Sequence, residues 1–165
     1  MVIFDYIILA FILIIALLGL RKGFIQSLGS IIGIIVAVLV ASRFYGEAAA
    51  WIGGSNFANV IAFVVIFGLA VKAVSLLFWL IGKVFQIITV LPFISSFDRL
   101  LGLILGLVEG IFVASIVLYF LIKFPVSDWL VWQMSKSTIT VVLLKISDIF
   151  VPLFPEAIKK IKSVL

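Results

Sequence analysis

Neither cysteine nor histidine occurs among the 165 residues of this chain. The absence of both excludes disulfides, thiol nucleophiles, the usual zinc sites with nitrogen and sulfur ligands, and Ser-His-Asp or Cys-His catalytic sets. Charged residues make up only 12% of the chain, and its seven carboxylates show no metal-ligand spacing. The sequence therefore predicts no cofactor and no metal, and it argues against an enzyme.

Apolar side chains, by contrast, are present in excess. Hydrophobic residues make up 66% of the chain and the mean hydropathy is +1.50, whereas a soluble domain is about half apolar. This excess indicates an integral membrane protein with about four or five spans. The net charge is +5, but the basic residues lie between apolar segments and at the C-terminus. We therefore expect them to face a lipid bilayer and its anionic headgroups, with no nucleic acid as a partner.

Four apolar segments are long enough to cross a bilayer. The sequence predicts an all-α membrane protein whose four-span domain, residues 1–123, has transmembrane helices at about 2–20, 24–43, 58–82 and 99–122. The first segment lacks a basic region before it, its apolar run is long, and Arg21-Lys22 follows in place of a cleavage site. We interpret it as a retained anchor rather than a signal peptide. Residues 43–59 are predicted to be a loop in which Ala48 to Trp51 form one interfacial turn, and the Gly53-Gly54 pair ends that turn.

Residues 124–165 are predicted to form an amphipathic, interfacial C-terminal tail. Ser127 is a suitable N-cap for a short helix, and residues 138–151 predict an amphipathic helix in the membrane interface, because polar residues interrupt an apolar run. A tilted fifth span over 138–154 is the alternative. Pro155 predicts the start of a last helix, whose lysines contact either lipid headgroups or solvent: Lys159, Lys160 and Lys162.

Small residues recur every four positions in two of the spans. This spacing keeps them on one helix face, and a smooth face lets a second helix backbone approach closely in lipid. The two stripes consist of Gly102, Gly106, Gly110 and Ala114 in the fourth span, and of Gly29, Gly33, Ala37 and Ala41 in the second. They predict either close packing of helices within one subunit or the seam of a homodimer.

Two ionisable residues fall inside predicted spans. Lys72 and Glu109 each lie about 15 Å from the same membrane surface, at roughly 1.5 Å per residue. A charge at that depth is costly unless it is paired, neutralised or hydrated. The sequence favours an ion pair between them, which would offset part of the desolvation cost. In the alternative interpretation, Lys72 extends towards the interface and Glu109 is protonated.

The basic residues also predict an orientation. Arg21 and Lys22 lie in the first short turn, where the positive-inside rule is most informative. The turn is therefore expected in the cytoplasm. With four spans, both termini are then expected on the extracytoplasmic side of the membrane.

Several short motifs together resemble the colicin V production protein (CvpA) family. They are an early Asp5, the run Lys22-Gly23-Phe24, a polar, glycine-containing start to the second span, and Asp98-Arg99 followed by Gly102, Gly106 and Gly110. The resemblance covers almost the whole chain. Relatives often have a basic residue before the third glycine, where this chain has Glu109. Any role of that basic residue therefore does not carry over.

The resemblance implies a bacterial inner-membrane protein linked to production or export of a peptide toxin and to envelope tolerance of bile-like and antimicrobial stress. Some relatives carry an extracytoplasmic serine protease after the four spans, which agrees with an outside C-terminus. We expect a membrane scaffold or accessory protein, a homo-oligomer with export or envelope proteins as possible partners. The alternative is a small oligomeric channel or transporter with a polar path along Lys72, Glu109, Ser75 and Gln26.

Overall fold

The computed structural model describes residues 2–88, 94–150 and 152, and within them it contains six α-helices and no strand. The helices are α1 (Ile3–Lys22), α2 (Phe24–Trp51), α3 (Asn56–Ile88), α4 (Ile94–Lys123), α5 (Asp128–Lys136) and α6 (Thr138–Ser147). The first four are long and apolar enough to cross a membrane. This confirms the predicted all-α architecture of four long helices followed by a short-helix tail.

The predicted loop at 43–59 is too long, because α2 continues to Trp51. The stretch after Arg43 contains three consecutive alanines, the best helix formers, and no proline. The helix ends only before Gly53 and Gly54, whose φ angles of 103° and 65° are conformations that glycine adopts at little cost. The connection between α2 and α3 therefore shortens to residues 52–55.

The long helices pack as two antiparallel pairs. Helix α1 lies mainly against α4, helix α2 lies mainly against α3, and α4 also packs on α2. Consecutive positions along α4 contact progressively earlier positions of α1, from Gly102 beside Gly19 to Gly110 beside Ile12. The first and fourth spans, the most distant of the four in sequence, therefore lie side by side.

The hydrophobic core consists of two main clusters. The larger lies among α2, α3 and α4 and includes Ile34, Val38 and a stack of Phe63 on Phe120 with ring centroids 3.5 Å apart. The smaller lies where α1 and α4 meet the tail and includes Phe4, Ile8, Ala114, Leu118, Met134 and Leu143. The tail is thus part of the packed bundle.

The tail helices α5 and α6 follow α4 on the side where α1 begins. Helix α6 has 10 residues, or about 15 Å, which is roughly half of the length that a span requires. It runs along α4, and Phe150, just beyond its end, contacts Phe112 with ring centroids 5.2 Å apart. The helix predicted from Pro155, with Lys159, Lys160 and Lys162, lies outside the described residues.

Candidate functional site

The turn between α1 and α2 is closed by an acid from the fourth span. Gly23, the single residue between the two helices, has a φ of +79°, which favours glycine. The carboxylate of Asp98 accepts a hydrogen bond from the backbone N–H of Phe24, 3.0 Å away, one of the unpaired donors at the start of α2. A Cβ at position 23 would collide with the same carboxylate. Arg99 is exposed and does not contribute to this contact.

The glycine stripe of α4 lies directly on the backbone of α1. A Cβ added at Gly106 would lie 2.9 Å from both Gly19 Cα and the Ile15 carbonyl oxygen, and one at Gly110 would lie 3.1 Å from Ile12 Cα. A Cβ at Gly102 would come closer still, against the Gly19 carbonyl oxygen. The glycine face of α4 is thus covered by α1 of the same chain. This agrees with the first interpretation of the stripe, close packing of helices within one subunit.

The glycines of α2 face α3 instead. A Cβ at Gly29 would overlap the Phe78 side chain, and one at Gly33 would lie 3.3 Å from the Val71 carbonyl oxygen. Each small-residue stripe therefore brings together one of the two antiparallel pairs. This close approach lets the neighbouring polar side chains of three helices meet in the bundle interior.

A buried polar cluster, formed by Lys22, Ser30, Ser75 and Glu109, lies next to these contacts. Lys22 Nζ is 3.2 Å from Glu109 Oε1 and 3.4 Å from Oε2, and it also donates to Ser30 Oγ at 3.4 Å. Ser30 and Ser75 share a hydrogen bond of 3.2 Å. The side chain of Glu109 is only 7% exposed, and that of Lys22 is 26% exposed. The cluster thus joins all four long helices through one ion pair and the hydrogen bonds of two serines.

The predicted ion pair between Lys72 and Glu109 is wrong, because Glu109 pairs with Lys22. Lys72 is exposed on α3 and makes no ion pair with any described residue. Helix α3 packs mainly against α2, whereas α4 packs mainly against α1. The neighbour in sequence is therefore not the main neighbour in space, and the cation for Glu109 comes from the first turn.

The sequence placed Lys22 in the first short turn, as a signal of orientation, and did not identify it as the partner of Glu109. A lysine side chain is long and flexible, so it can extend from the end of α1 into the bundle as well as towards lipid headgroups. The sequence signal that could have identified this role is the position of Lys22 directly before Gly23. The backbone at Gly23 lies close to α4, so the Lys22 side chain can reach that helix. Gln26, named for a polar path, is half-buried and is not part of the cluster.

A second polar contact holds the tail at the opposite end of α1. Asp5, fully buried, accepts hydrogen bonds from the Ser137 hydroxyl and from the Val2 backbone N–H, the latter at 2.8 Å. Ser137 in turn caps α6, because its Oγ accepts from the Thr140 backbone N–H at 2.9 Å. The sequence named Asp5 only as one of the residues of the family resemblance, and its buried contact with the start of α6 was not predicted.

The polar side chains of the cluster and the aromatic core occupy different levels of the bundle. Glu109 lies near the middle of α4, whereas Phe120 lies close to its end, in the aromatic stack with Phe63. The rings of Tyr45 and Phe124 add to this stack, with centroids 5.1 and 5.6 Å from that of Phe120. The arrangement can hold a proton or a charge within the cluster, and it separates the cluster from the tail side by a layer of packed rings.

Comparisons with known proteins agree on one family. Residues 4–146 match the model of the family described as colicin V production protein. A colicin V production protein homolog of Haemophilus influenzae is 30% identical over 80% of this chain and 81% of its own length, and the colicin V production protein of Escherichia coli is 29% identical over 75% and 76%. An uncharacterized transmembrane protein of Bacillus subtilis, YshB, is 29% identical over 85% and 88%. No solved structure matches the chain.

Proposed function

The chain belongs to the colicin V production protein family, and we propose that this multi-pass membrane protein acts as a scaffold or accessory protein in the bacterial cytoplasmic membrane. The systems it would serve are the production or export of a peptide toxin and the tolerance of envelope stress. Its partners would be export or envelope proteins and further copies of itself. In this role the chain needs a stable bundle with interaction surfaces, and it needs no catalytic groups.

The layer of packed rings carries this proposal. A transport path needs polar groups or water along the whole depth of the membrane. In this bundle, the stacked rings of Phe63 and Phe120 and the buried Ile34 and Val38 fill the interior on the tail side of the polar cluster. The ion pair and its two serines are satisfied by one another. A closed interior of this kind favours a structural role over a conduit.

The orientation argued from Arg21 and Lys22 is part of the proposal. The contact of Asp5 with Ser137 supports a common side for the start of α1 and the tail. The positive-inside rule favours the cytoplasm for the first turn. The start of α1, the helix α5 and the start of α6 would then lie on the extracytoplasmic side.

A channel or transporter is the second candidate, and the ion pair is the observation that favours it. Ionisable groups inside a membrane are expensive and often mark the path of an ion or a proton. Lys22 and Glu109 are joined to two serines, which would extend such a path to α2 and α3. The aromatic layer would have to open for this function.

Two measurements test the proposal. In the first, purified wild-type protein and the Glu109→Gln variant are reconstituted into liposomes, and proton and small-ion flux is recorded. We expect no flux above that of empty liposomes for either protein. Flux in wild type that is lost in Glu109→Gln would overturn the scaffold role in favour of the channel.

In the second measurement, this chain is expressed in an Escherichia coli strain that lacks its own relative and carries the colicin V genes. We expect secreted colicin V to recover towards the wild-type amount. The matched control is Gly106→Leu, which would force α4 away from α1. Equal secretion from the control and the wild-type chain would contradict a role that depends on the bundle.

A further inference from the structure

Lys72 is a cation without a described partner on the outer face of α3. The helix packs mainly on α2, and its outer face, defined by Val65, Leu69, Lys72, Leu76 and Leu80, is exposed throughout. Leu69 and Leu76, the flanking leucines, are 64% and 55% exposed. The charge therefore lies in an apolar surface that faces lipid, where an unpaired charge is costly.

The depth of Lys72 follows from its neighbours in the bundle. The ring of Phe63 stacks on that of Phe120, which places these two residues at one level. Because α3 and α4 run in opposite directions, Lys72, nine residues after Phe63, lies at the level of Ile111, nine residues before Phe120. This level is near the middle of the apolar segment Ser96–Lys123 of α4.

The headgroups are out of reach for Lys72. Trp79 and Lys83, which form a cation–π contact of 4.2 Å, mark the nearer interface, and Trp79 is seven residues or about 10 Å further along the helix. An extended lysine side chain reaches roughly 6 Å at normal bond lengths. Helical side chains also point towards the N-terminus of their helix, which directs Lys72 away from Trp79.

Asp148 is an anion at a similar level that has no ion-pair partner among the described residues. It caps the C-terminal end of α6, where the helix dipole disfavours a negative charge. It is exposed and makes no ion pair with any described residue. Phe150, two residues later, contacts Phe112 of α4, next to the level of Ile111. The neighbouring Ile149 is 66% exposed, so this acid also lies in an apolar surface.

The chain has no other acid suited to Lys72 in its described spans. Glu109 is paired with Lys22, Asp5 accepts from Ser137, and Asp98 accepts from the Phe24 N–H. Glu47 lies near the end of α2, beyond the level of Tyr45 and Phe63 and so away from Lys72. Because Lys72 and Asp148 lie at a similar depth and are both exposed, the cation of one molecule can pair with the anion of another. Gly68, four residues before Lys72, has open space beyond its Cα, which lets another helix approach closely.

We propose that Lys72 of one copy pairs with Asp148 of a second copy, so that the outer face of α3 and the end of α6 form the contact of a homo-oligomer. The inference rests on the self-association included in the proposed function, and it adds the residues that form the contact between copies. Pairing would neutralise both charges and remove the flanking leucines and Ile149 from lipid. Within this apolar contact, the low dielectric strengthens the attraction between the two charges.

Single-cysteine variants test the contact directly, because the natural chain has no cysteine. Lys72→Cys and Asp148→Cys proteins carrying different tags are mixed in detergent, reconstituted together in phosphatidylcholine liposomes and oxidised. We expect disulfide-linked dimers that contain both tags, at several times the yield of the matched pair Lys83→Cys and Asp148→Cys. Lys83 lies on the same helix but eleven residues away from Lys72.

A charge exchange gives an independent readout. Lys72→Asp and Asp148→Lys are each expected to weaken self-association about tenfold, measured by analytical ultracentrifugation in detergent, and the double variant is expected to restore it. A double variant that recovers thermal stability as a monomer would mean that the pair forms within one chain. That result would overturn the proposal.

Two further outcomes would also overturn the contact. In the first, the wild type forms an oligomer, but the specific crosslink does not form and the charge exchange has no effect. Self-association would then occur through a different contact. In the second, added phosphatidylglycerol raises the thermal stability of the wild type but not that of Lys72→Met. This result would mean that Lys72 binds a lipid phosphate. Loss of colicin V secretion alone would affect the proposed role and not this contact.

Discussion

Lys22 and Glu109, 87 positions apart in the chain, form an ion pair of 3.2 Å inside the four-helix bundle. The lysine comes from the last residue of α1 and the acid from the middle of α4. Ser30 and Ser75 extend the contact to α2 and α3. The ion pair thus joins the two helices of one antiparallel pair, and the two serines connect it to the other pair on the side of the first turn.

Removing one member of this pair is expected to destabilise the protein. Glu109→Leu leaves the Lys22 ammonium without its counter-ion and should cost about 3 kcal/mol, the lower end of the range for broken buried pairs, since Lys22 is partly exposed. The free energy of unfolding in detergent, measured by denaturant titration, checks this. The double variant Lys22→Met/Glu109→Leu should regain most of the loss. Equal losses in the single and double variants would contradict the pairing.

The backbone contact between α1 and α4 predicts a steep response to a single methyl group. Gly106→Ala places a Cβ 2.9 Å from Gly19 Cα, so the helices must separate, at a cost of about 1–3 kcal/mol. Thermal unfolding in detergent measures the loss. Gly46→Ala is the matched control, since its Cβ would meet nothing within 4 Å. A control as unstable as Gly106→Ala would argue against specific packing.

The hydrogen bond from Phe24 N–H to Asp98 predicts different effects for two substitutions. Asp98→Ala leaves the Phe24 N–H at the start of α2 without its acceptor and should cost about 1 kcal/mol, as for the loss of a helix cap. Asp98→Asn keeps an acceptor and should lose less. Unfolding free energies of the three proteins give the ranking. An asparagine variant as unstable as the alanine variant would indicate that the charge, and not the hydrogen bond, stabilises the turn.

The contact between Asp5 and Ser137 predicts that the tail can be released without loss of the main bundle. Ser137→Ala removes both the donor to Asp5 and the cap of α6. Hydrogen exchange followed by mass spectrometry should then accelerate in α5 and α6 and remain unchanged in the α2–α3 pair. Ser135→Ala is the control, because that exposed hydroxyl donates only to the Trp132 carbonyl of its own helix. Acceleration throughout the chain would mean that the tail supports the entire fold.

The proposed orientation predicts opposite labelling of two positions. In intact cells, a membrane-impermeant maleimide should modify Lys136→Cys in the extracytoplasmic tail and should not modify Arg21→Cys in the cytoplasmic turn until the cells are opened. Both residues are exposed in the bundle, so each reacts if the reagent reaches its side of the membrane. The reverse pattern would invert the proposed topology.

The helical architecture follows from local properties of the sequence. Four apolar segments, a short turn at residues 21–23 and the breaker pair Gly53-Gly54 are sufficient to predict four long helices and most of their ends. The end of α2 was placed too early, because the polar residues after Arg43 resemble a loop although they favour a helix. Local composition does not distinguish an exposed helix end from a connection.

The partners of the polar residues could not be predicted in the same way. The depth of Glu109 was readable from its distance to Arg99, but its partner was assigned to the adjacent third span. Lys22 was interpreted as a topology signal and a motif residue, and Asp5 only as a motif residue. These partners were missed for one reason: the sequence gives the height of a side chain along its helix, and not the helix that lies opposite.

The amino-acid sequence by itself determined that this protein is a membrane protein with four apolar helices and two glycine-lined faces, because these properties depend on residues close together along one helix. Only the tertiary structure decided that α1 covers the glycines of α4, that Lys22 pairs with Glu109, and that Lys72 remains on the outer surface. Helical periodicity specifies which residues share a face. The packing of all the helices together selects which backbone is close enough to cover that face.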